Sequence, residues 1–260
     1  MHRRDTIPLM LRLPLLTRAR RDRAPAPESL VAHASEADRR IVERALPYTM
    51  TTPARLLALV DAVRYCVTRE LDGAFAECGV WRGGSVLAML LTLLEAGVSD
   101  RDVYLYDTFE GMTQPRVDDT SAFDPPALDT WQEAERADRV PWEALFEPTT
   151  FNEDAVRAVL TATGYPAERL HFVRGPVERT LPAAAPDRLA LLRLDTDWYE
   201  STHHELVHLF PRLATAGVLI VDDYGHWQGA RKAVDEYMRD EGLALLLNRI
   251  DYTGRIAIKA

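Results

Sequence analysis

Cysteine is almost missing from this 260-residue chain: only Cys66 and Cys78 occur, each among apolar neighbours. Two such thiols form no disulfide framework, which excludes the stapled secreted scaffolds and fits a reducing cytoplasm. A surplus of positive charge is missing too. Lys and Arg total 31 against 40 Asp and Glu, a formal charge of −9. The broad basic face that phosphate backbones require is therefore not expected, nor is a nucleic-acid partner. No apolar stretch approaches the ~20 residues that cross a bilayer, so no membrane partner is expected. No internal repeat is visible, and the G-x-G-x-x-G fingerprint is absent, so a pyrophosphate cradle is not indicated. What is present is enough chain, and enough apolar content, for one well-buried α/β domain.

Positive charge gathers at the beginning. Within the first 27 residues Arg3, Arg4, Arg12, Arg18, Arg20, Arg21 and Arg23 face only Asp5 and Asp22, among Pro8, Pro14, Pro25 and Pro27. Arg12 and Pro14 break the apolar run IPLMLRLPLL and no small-residue cleavage site follows, so a signal peptide is a poor reading of it. Residues 1–35 read as a basic arm, flexible or packed on a neighbouring subunit of a homo-oligomer. Residues 36–260 read as one domain.

Within that domain EADRRIVERAL and PARLLALVDAVRYCVTREL read as helices, the second opened by Pro53. Strand-like and helix-like segments then alternate. GAFAECGV, DVYLYDTF, RLHFVRG, RLALLRLD and AGVLIVDD are short apolar runs that end in polar residues. GSVLAMLLTLLEAG, STHHELVHLFPRL and GARKAVDEYMRDEG carry helical character. The tail, LALLLNRID then GRIAIKA, reads as two strands joined by a turn at 252–254. Alternation of this kind predicts a mostly parallel doubly wound sheet with helices on both faces, closed by an antiparallel C-terminal edge. The stretch 112–150 shows no clear period and holds five prolines. It reads as a long insertion able to act as a substrate lid.

Ligands of open α/β sheets bind beyond the carboxyl ends of the strands. Two features lie at such ends. In Glu77-Cys78-Gly79-Val80-Trp81-Arg82-Gly83-Gly84-Ser85, glycines allow close approach of a ligand and an early helix start. Asp107 closes the next strand, where a carboxylate suits ribose hydroxyls, and a turn through Phe109, Glu110 and Gly111 follows. Together they point to a nucleoside ligand. Asp195 and the doublet Asp222-Asp223 end two runs apolar enough to be central strands, which brings their carboxylates together. Like charges at that range need a cation between them, and oxygen-only ligands favour Mg²⁺, Mn²⁺ or Ca²⁺. Helix capping accounts for one aspartate per strand end but not for a doublet. His226, just past the doublet, is placed to accept a proton or hold a substrate. His204-Glu205-Leu206-Val207-His208 matches the H-E-x-x-H zinc motif, but Pro211 follows closely and no third ligand is evident. Leu206, Leu209, Phe210 and Leu213 would form the buried stripe of that helix and leave the histidines on its flanks.

YTMTTPARLLAL (48–59), ECGVWRGGS (77–85), YDTFEGM (106–112), RGPVERTLP (174–182), LRLDTDWYEST (192–202) and DDYGHWQGARKAVDEY (222–237) together resemble the macrocin O-methyltransferase family. The resemblance runs from about residue 46 to 240 with the motifs in the family's order. It implies a class I methyltransferase fold, a Rossmann-like sheet with extra N-terminal helices. It implies S-adenosylmethionine as methyl donor, held by Thr49 and Met50, by Glu77, Cys78, Gly79, Val80 and Trp81, by Asp107, Thr108, Phe109, Glu110 and Gly111, and by Gly175 and Pro176 near the adenine. It further implies Mg²⁺ on Asp195, Asp222 and Asp223, with Asp195 as general base, and as acceptor a deoxysugar hydroxyl in antibiotic biosynthesis, either on a glycosylated natural product or on a nucleotide-activated sugar. A catechol, which also offers vicinal oxygens, is the alternative acceptor, and a zinc peptidase built on 204–208 the alternative of another class. The length of 112–150 and the arginine-rich start depart from the shared pattern.

Overall fold

The computed structural model describes residues 33–260, so the arginine-rich arm lies outside the described residues apart from its last three positions. Two helices precede the sheet. Ser35 opens α1 (Glu36–Ala45) as a capping box, its hydroxyl taking the Asp38 N–H at 3.1 Å. Thr52 caps α2 (Pro53–Thr68), where Pro53 occupies the first turn that lacks a hydrogen-bond partner in any case.

Seven strands follow: β1 (Ala74–Cys78), β2 (Val103–Asp107), β3 (Leu170–Arg174), β4 (Leu189–Leu194), β5 (Leu213–Val221), β6 (Asn248–Arg249) and β7 (Arg255–Ile258). Their order in the sheet is β3-β2-β1-β4-β5-β7-β6. The first five are parallel and the last two antiparallel, as the alternation predicts. β1 and β4 are buried along their whole length, the signature of strands covered on both faces. α1, α2 and α3 (Gly84–Glu95) cover one face, packing Leu56, Leu59, Leu90 and Leu93 on Phe75, Leu105 and Leu191. α7 (Tyr199–Leu209) and α8 (Gln228–Asp240) cover the other, with Leu206, Leu209, Phe210 and Val234 against Leu192, Leu194 and Leu219. Each such fully buried side chain contributes roughly 1.5–3 kcal/mol relative to exposure. No helix among the described residues is long and apolar enough to cross a membrane.

Register positions the site. Cys78 pairs with Leu194, and Leu194 with Val221. The next residue on each strand, Gly79, Asp195 and Asp222, therefore emerges side by side at the point where strand order reverses, between β1 and β4.

Two stretches differ from expectation. The 112–150 segment holds a helix, α4 (Ala127–Arg136), and a short 3-10 turn at Glu143–Leu145. Only Ala127 and Ala134 of α4 are buried, too thin an apolar stripe to register as a period. In the tail, LALLL forms no strand. Leu243, Leu245 and Leu247 pack as irregular chain on the second core, and only Asn248–Arg249 pairs with β7. α5 (Glu153–Thr161), capped by Asn152, and the single turn α6 (Val177–Thr180) complete the chain.

Candidate active site

A cavity of about 600 Å³ opens at the carboxyl ends of β1, β2, β4 and β5. That volume suits one small-molecule ligand and part of a second. Its walls bring together most of the residues singled out from sequence: Thr49, Met50, Glu77, Gly79, Val80, Trp81, Asp107, Thr108, Gly111, Gly175, Pro176, Asp195, Asp222, Asp223 and His226. Cys78, Phe109 and Glu110 are not among them. Cys78 and Phe109 point into the two cores, as expected for alternate residues of a strand and a turn beside it. Glu110 lines a small adjoining recess and pairs with Arg174 at 2.5 Å.

The glycines of the first turn serve the protein's own backbone more than a ligand. Gly79 has φ +84°, and a Cβ there would lie 1.9 Å from the Asp195 carbonyl oxygen. A Cβ on Gly84 would meet the Tyr48 carbonyl oxygen at 2.6 Å, so its absence lets α3 begin against the 3-10 turn Leu46–Tyr48. Asp107 likewise has a structural task beside the expected one. Its Oδ2 accepts the N–H groups of Val80 and Trp81 at 2.7 and 2.9 Å, and Oδ1 accepts Phe109 N–H at 2.7 Å. Those bonds knit the β1 and β2 turns together, although burial still raises its pKa above the usual carboxylate value. Trp81, Phe109 and Asp197 all adopt left-handed backbone, with φ of 49°, 54° and 67°. Three strained non-glycine residues at three strand ends around one cavity are the pattern of a functional centre.

Single carboxylate oxygens of Asp195, Asp222 and Asp223 lie within 4.8 Å of one another. At that range each pair of unit charges repels by about 3 kcal/mol at an effective dielectric near 20. Trp198 and Trp227 occupy the N-cap positions of α7 and α8, so none of the strand-end aspartates is there to cap a helix. Part of the repulsion is met by Arg193, buried in β4. Its guanidinium donates to Glu77, to Asp195 Oδ2 at 2.7 Å and to Asp222 Oδ1 at 2.5 Å. Burial pulls its pKa down, but Asp195 and Glu77 overcome this and raise it, so the group stays charged. Arg55 holds the other Asp222 oxygen and reaches Asp251 at 3.1 Å.

Asp223 forms no ion pair with an arginine among the described residues. Its Oδ2 is buried without a hydrogen-bond partner among the described residues. Burial, then Asp197 and Asp195, push its pKa well up. Asp197, two residues beyond Asp195 and also in the cavity wall, is pushed up to about 7 by burial and by Asp195. Glu77 is pushed up to about 7 by burial, with Arg193 opposing. An orphaned carboxylate oxygen within an all-oxygen donor set is what a hard divalent cation would satisfy, and the residues present fit one.

His226 lines the cavity, but both its ring nitrogens are engaged. Nε2 lies 2.8 Å from Asp124 Oδ2 and Nδ1 lies 3.0 Å from the Tyr252 hydroxyl. Taking up a substrate proton requires one of those contacts to open. The H-E-x-x-H motif comes apart in space. Leu206, Leu209, Phe210 and Leu213 are buried as expected, and so is Glu205, whose carboxyl accepts from the Thr196 hydroxyl at 2.9 Å. His204 and His208 lie together on the helix flank, and His204 reaches the Leu181 carbonyl, so the glutamate and the histidines do not converge.

Arg193, Asp197 and Arg55 are site residues that the motif reading left without roles. An arginine inside the apolar run LALLRL was the available signal, since a charge in a buried strand must be paired. Asp119 belongs with them. It is fully buried, and its Oδ1 accepts Tyr199 N–H at 2.8 Å while Oδ2 accepts Arg116 N–H at 2.6 Å. It pins the 112–126 segment over the site.

A doubly wound sheet with an antiparallel end, a nucleoside-sized cavity at its switch point and acidic groups on the β1 and β2 turns define a class I methyltransferase. The chain belongs to the macrocin-O-methyltransferase (TylF) family, whose model matches residues 3–257. It is an O-methyltransferase that uses S-adenosylmethionine. It is 35% identical over 223 residues, 84% of this chain and 79% of the relative, to an 8-demethyl-8-(2,3-dimethoxy-α-L-rhamnosyl)-tetracenomycin-C 4′-O-methyltransferase of Streptomyces olivaceus. It is 33% identical, over 80% of this chain and 74% of the relative, to the demethyldecarbamoylnovobiocin O-methyltransferase of Streptomyces niveus. Among solved structures, the O-methyltransferase NovP matches with a TM-score of 0.69 and 31% identity, covering 82% of each chain.

Proposed function

We propose that this enzyme is metal-dependent and methylates a deoxysugar hydroxyl during antibiotic biosynthesis. One observation carries the metal: three carboxylates converge, one of them orphaned, in the cavity that the donor-binding turns also line. The sugar is supported by the rhamnosyl group in the name of the Streptomyces olivaceus relative. Asp195, Asp222 and Asp223 would hold the cation, and Glu77, Gly79 to Trp81, Asp107, Thr108, Gly111, Gly175 and Pro176 the donor. When bound, the donor supplies an activated methyl group, and the cation positive charge that lowers the pKa of a nearby hydroxyl.

The chain's own part is orientation and proton removal. Arg193 fixes the Asp195 and Asp222 carboxylates relative to Glu77, and therefore the acceptor end of the cavity relative to the donor end. Holding the reacting atoms at about 3 Å is where most of the acceleration comes from. Asp195 accepts the hydroxyl proton. Its Oδ2 already takes a bond from Arg193, whereas Asp197 faces the same cavity with no arginine partner among the described residues, and this favours a second reading with Asp197 as the base. The enzyme works in the cytoplasm, in keeping with its two free, buried cysteines.

Methyl transfer from labelled S-adenosylmethionine to rhamnosides and to catechols tests the reading. Chelation should abolish transfer to the sugar and Mg²⁺ should restore it. Undiminished transfer in chelator overturns the metal, and transfer to catechols alone overturns the sugar.

A further inference from the structure

One turn carries both aspartates named above as the base. It runs from the end of β4 into α7 as Asp195-Thr196-Asp197, and all three residues line the cavity. Asp195 N–H is fixed to the Cys78 carbonyl at 2.8 Å, whereas Asp197 is held in left-handed backbone at φ 67°. A non-glycine residue stays in that region only where its surroundings insist. Here they come from one face of α7, where Ser201 and Glu205 stand four residues apart and are both buried. Ser201 donates its hydroxyl to the Thr196 carbonyl at 3.3 Å, and Trp198 N–H reaches the same oxygen at 2.7 Å. Glu205 takes the other side of the residue, accepting the Thr196 hydroxyl at 2.9 Å. Thr196 is therefore gripped by backbone and side chain, between the two aspartates.

Stability gives no reason for a carboxyl at that position. Glu205 is wholly buried and does not line the cavity, and its second oxygen, Oε2, has no hydrogen-bond partner among the described residues. The other buried acids are better served. Glu77 and Asp222 have Arg193, Asp119 accepts two backbone N–H groups, and Asp223 belongs to the proposed cation set. Glu205 has one hydroxyl. Burial pushes its pKa well up, and the charges of Glu178 and Asp195 add to the rise against the Thr196 bond, so the carboxyl stands neutral. Its neighbours Leu206 and Leu209 are fully buried in apolar surroundings. A leucine at 205 would fill similar space without a half-paired polar group, whose loss of water costs free energy. A side chain that lowers stability where local rules favour an apolar one points to a demand of function.

We propose that Glu205 is a positioning residue of the methyl transfer: through Thr196 it holds the Asp195-Thr196-Asp197 turn so that a carboxylate meets the acceptor hydroxyl. This rests on the reading that one of those aspartates takes the proton. The test compares variants of the full-length protein by crystal structures with S-adenosylhomocysteine bound, by melting, and by methyl transfer to the rhamnosides and catechols named above. Glu205→Leu should displace the turn by more than about 0.5 Å, the tolerance within which catalytic groups must be held. It should lower kcat about 10- to 100-fold, leave acceptor KM and the S-adenosylhomocysteine dissociation constant in place, and melt no lower than wild type. Glu205→Gln keeps an acceptor for the Thr196 hydroxyl and should keep both turnover and turn geometry. Thr196→Val deletes the same bond from its other end. It should match the loss in Glu205→Leu, and the two together should cost no more than either alone. Thr196→Val read against Glu205→Gln decides where the leucine variant does not fold. An unmoved turn in Glu205→Leu, a loss in Glu205→Gln as large as in the leucine variant, additive losses, or a loss of kcat found only where the melting temperature falls with it would each overturn the proposal. Asp195→Asn and Asp197→Asn keep the two readings apart. If both turn over normally the base reading fails, and displacement of the turn still judges Glu205. If either loses turnover while Glu205→Leu keeps it, the role of Glu205 fails alone.

Discussion

Removing the Arg193 guanidinium would strand Glu77, Asp195 and Asp222 as neighbouring carboxylates, two of them almost wholly shut off from water. Breaking a buried ion cluster by deleting one partner costs about 3–5 kcal/mol, so Arg193→Met should lower urea-unfolding stability by that amount. An undiminished midpoint would show that the three carboxylates relax freely without it. Gly79 poses a backbone question instead. Gly79→Ala adds a left-handed alanine and a collision with the Asp195 carbonyl, worth roughly 2–4 kcal/mol if the strand ends must part, and activity should fall with stability because Asp195 is the neighbour displaced. Asp195→Asn and Asp197→Asn separate the two readings of the base. The variant at the true base should lose about 100-fold or more in kcat, the usual size of a general-base contribution, with donor affinity in calorimetry nearly unchanged. If neither does, proton removal is not done by these carboxylates.

Among the elements, the 112–126 segment is the one whose anchoring can be tested cleanly. Asp119→Ala leaves the part-buried Tyr199 and Arg116 N–H groups without their acceptor, a loss of about 1 kcal/mol for each bond. Because the segment carries Phe123 and Asp124 to the mouth, acceptor KM should rise several-fold while the donor dissociation constant stays put. Equal weakening of both ligands would mean that the whole cavity, and not its mouth, depends on the anchor. The central strands were legible in advance because burial on both faces leaves apolar runs such as LALLRL and AGVLIV. The same runs announced which residues stand at their carboxyl ends. α4 was not legible, since it shields little apolar surface, nor was the failure of LALLL to pair, since a leucine run is equally content packed on a core as irregular chain. Within the site, residue types at strand ends could be read, but the partners of Asp107 and His226 are set by tertiary contacts across tens of residues. A pattern of spacing does not encode them.

For the molecule as a whole, a cation held as proposed would couple its binding to folding, because the three carboxylates are assembled only in the folded sheet. A ligand present at 100 times its dissociation constant adds about 2.7 kcal/mol to the folded state, which for a domain of this size is a rise in melting temperature of roughly 5–10 °C. Mg²⁺ should produce that rise in the wild-type protein and little or none in Asp223→Asn, as read by calorimetric scans. A similar rise in both would place the cation elsewhere. The turn between β6 and β7 has a further consequence. Thr253 donates its hydroxyl to the Asp222 carbonyl at 2.7 Å, and Tyr252 beside it reaches over to His226, while Ser121 bridges to Trp227. The rim of the cavity is therefore assembled from three chain segments more than a hundred residues apart at the extremes. Chimeras between relatives that exchange only one of these segments would join mismatched parts of a single rim, so recombination has to move 112–126, 223–228 and 251–254 as one unit.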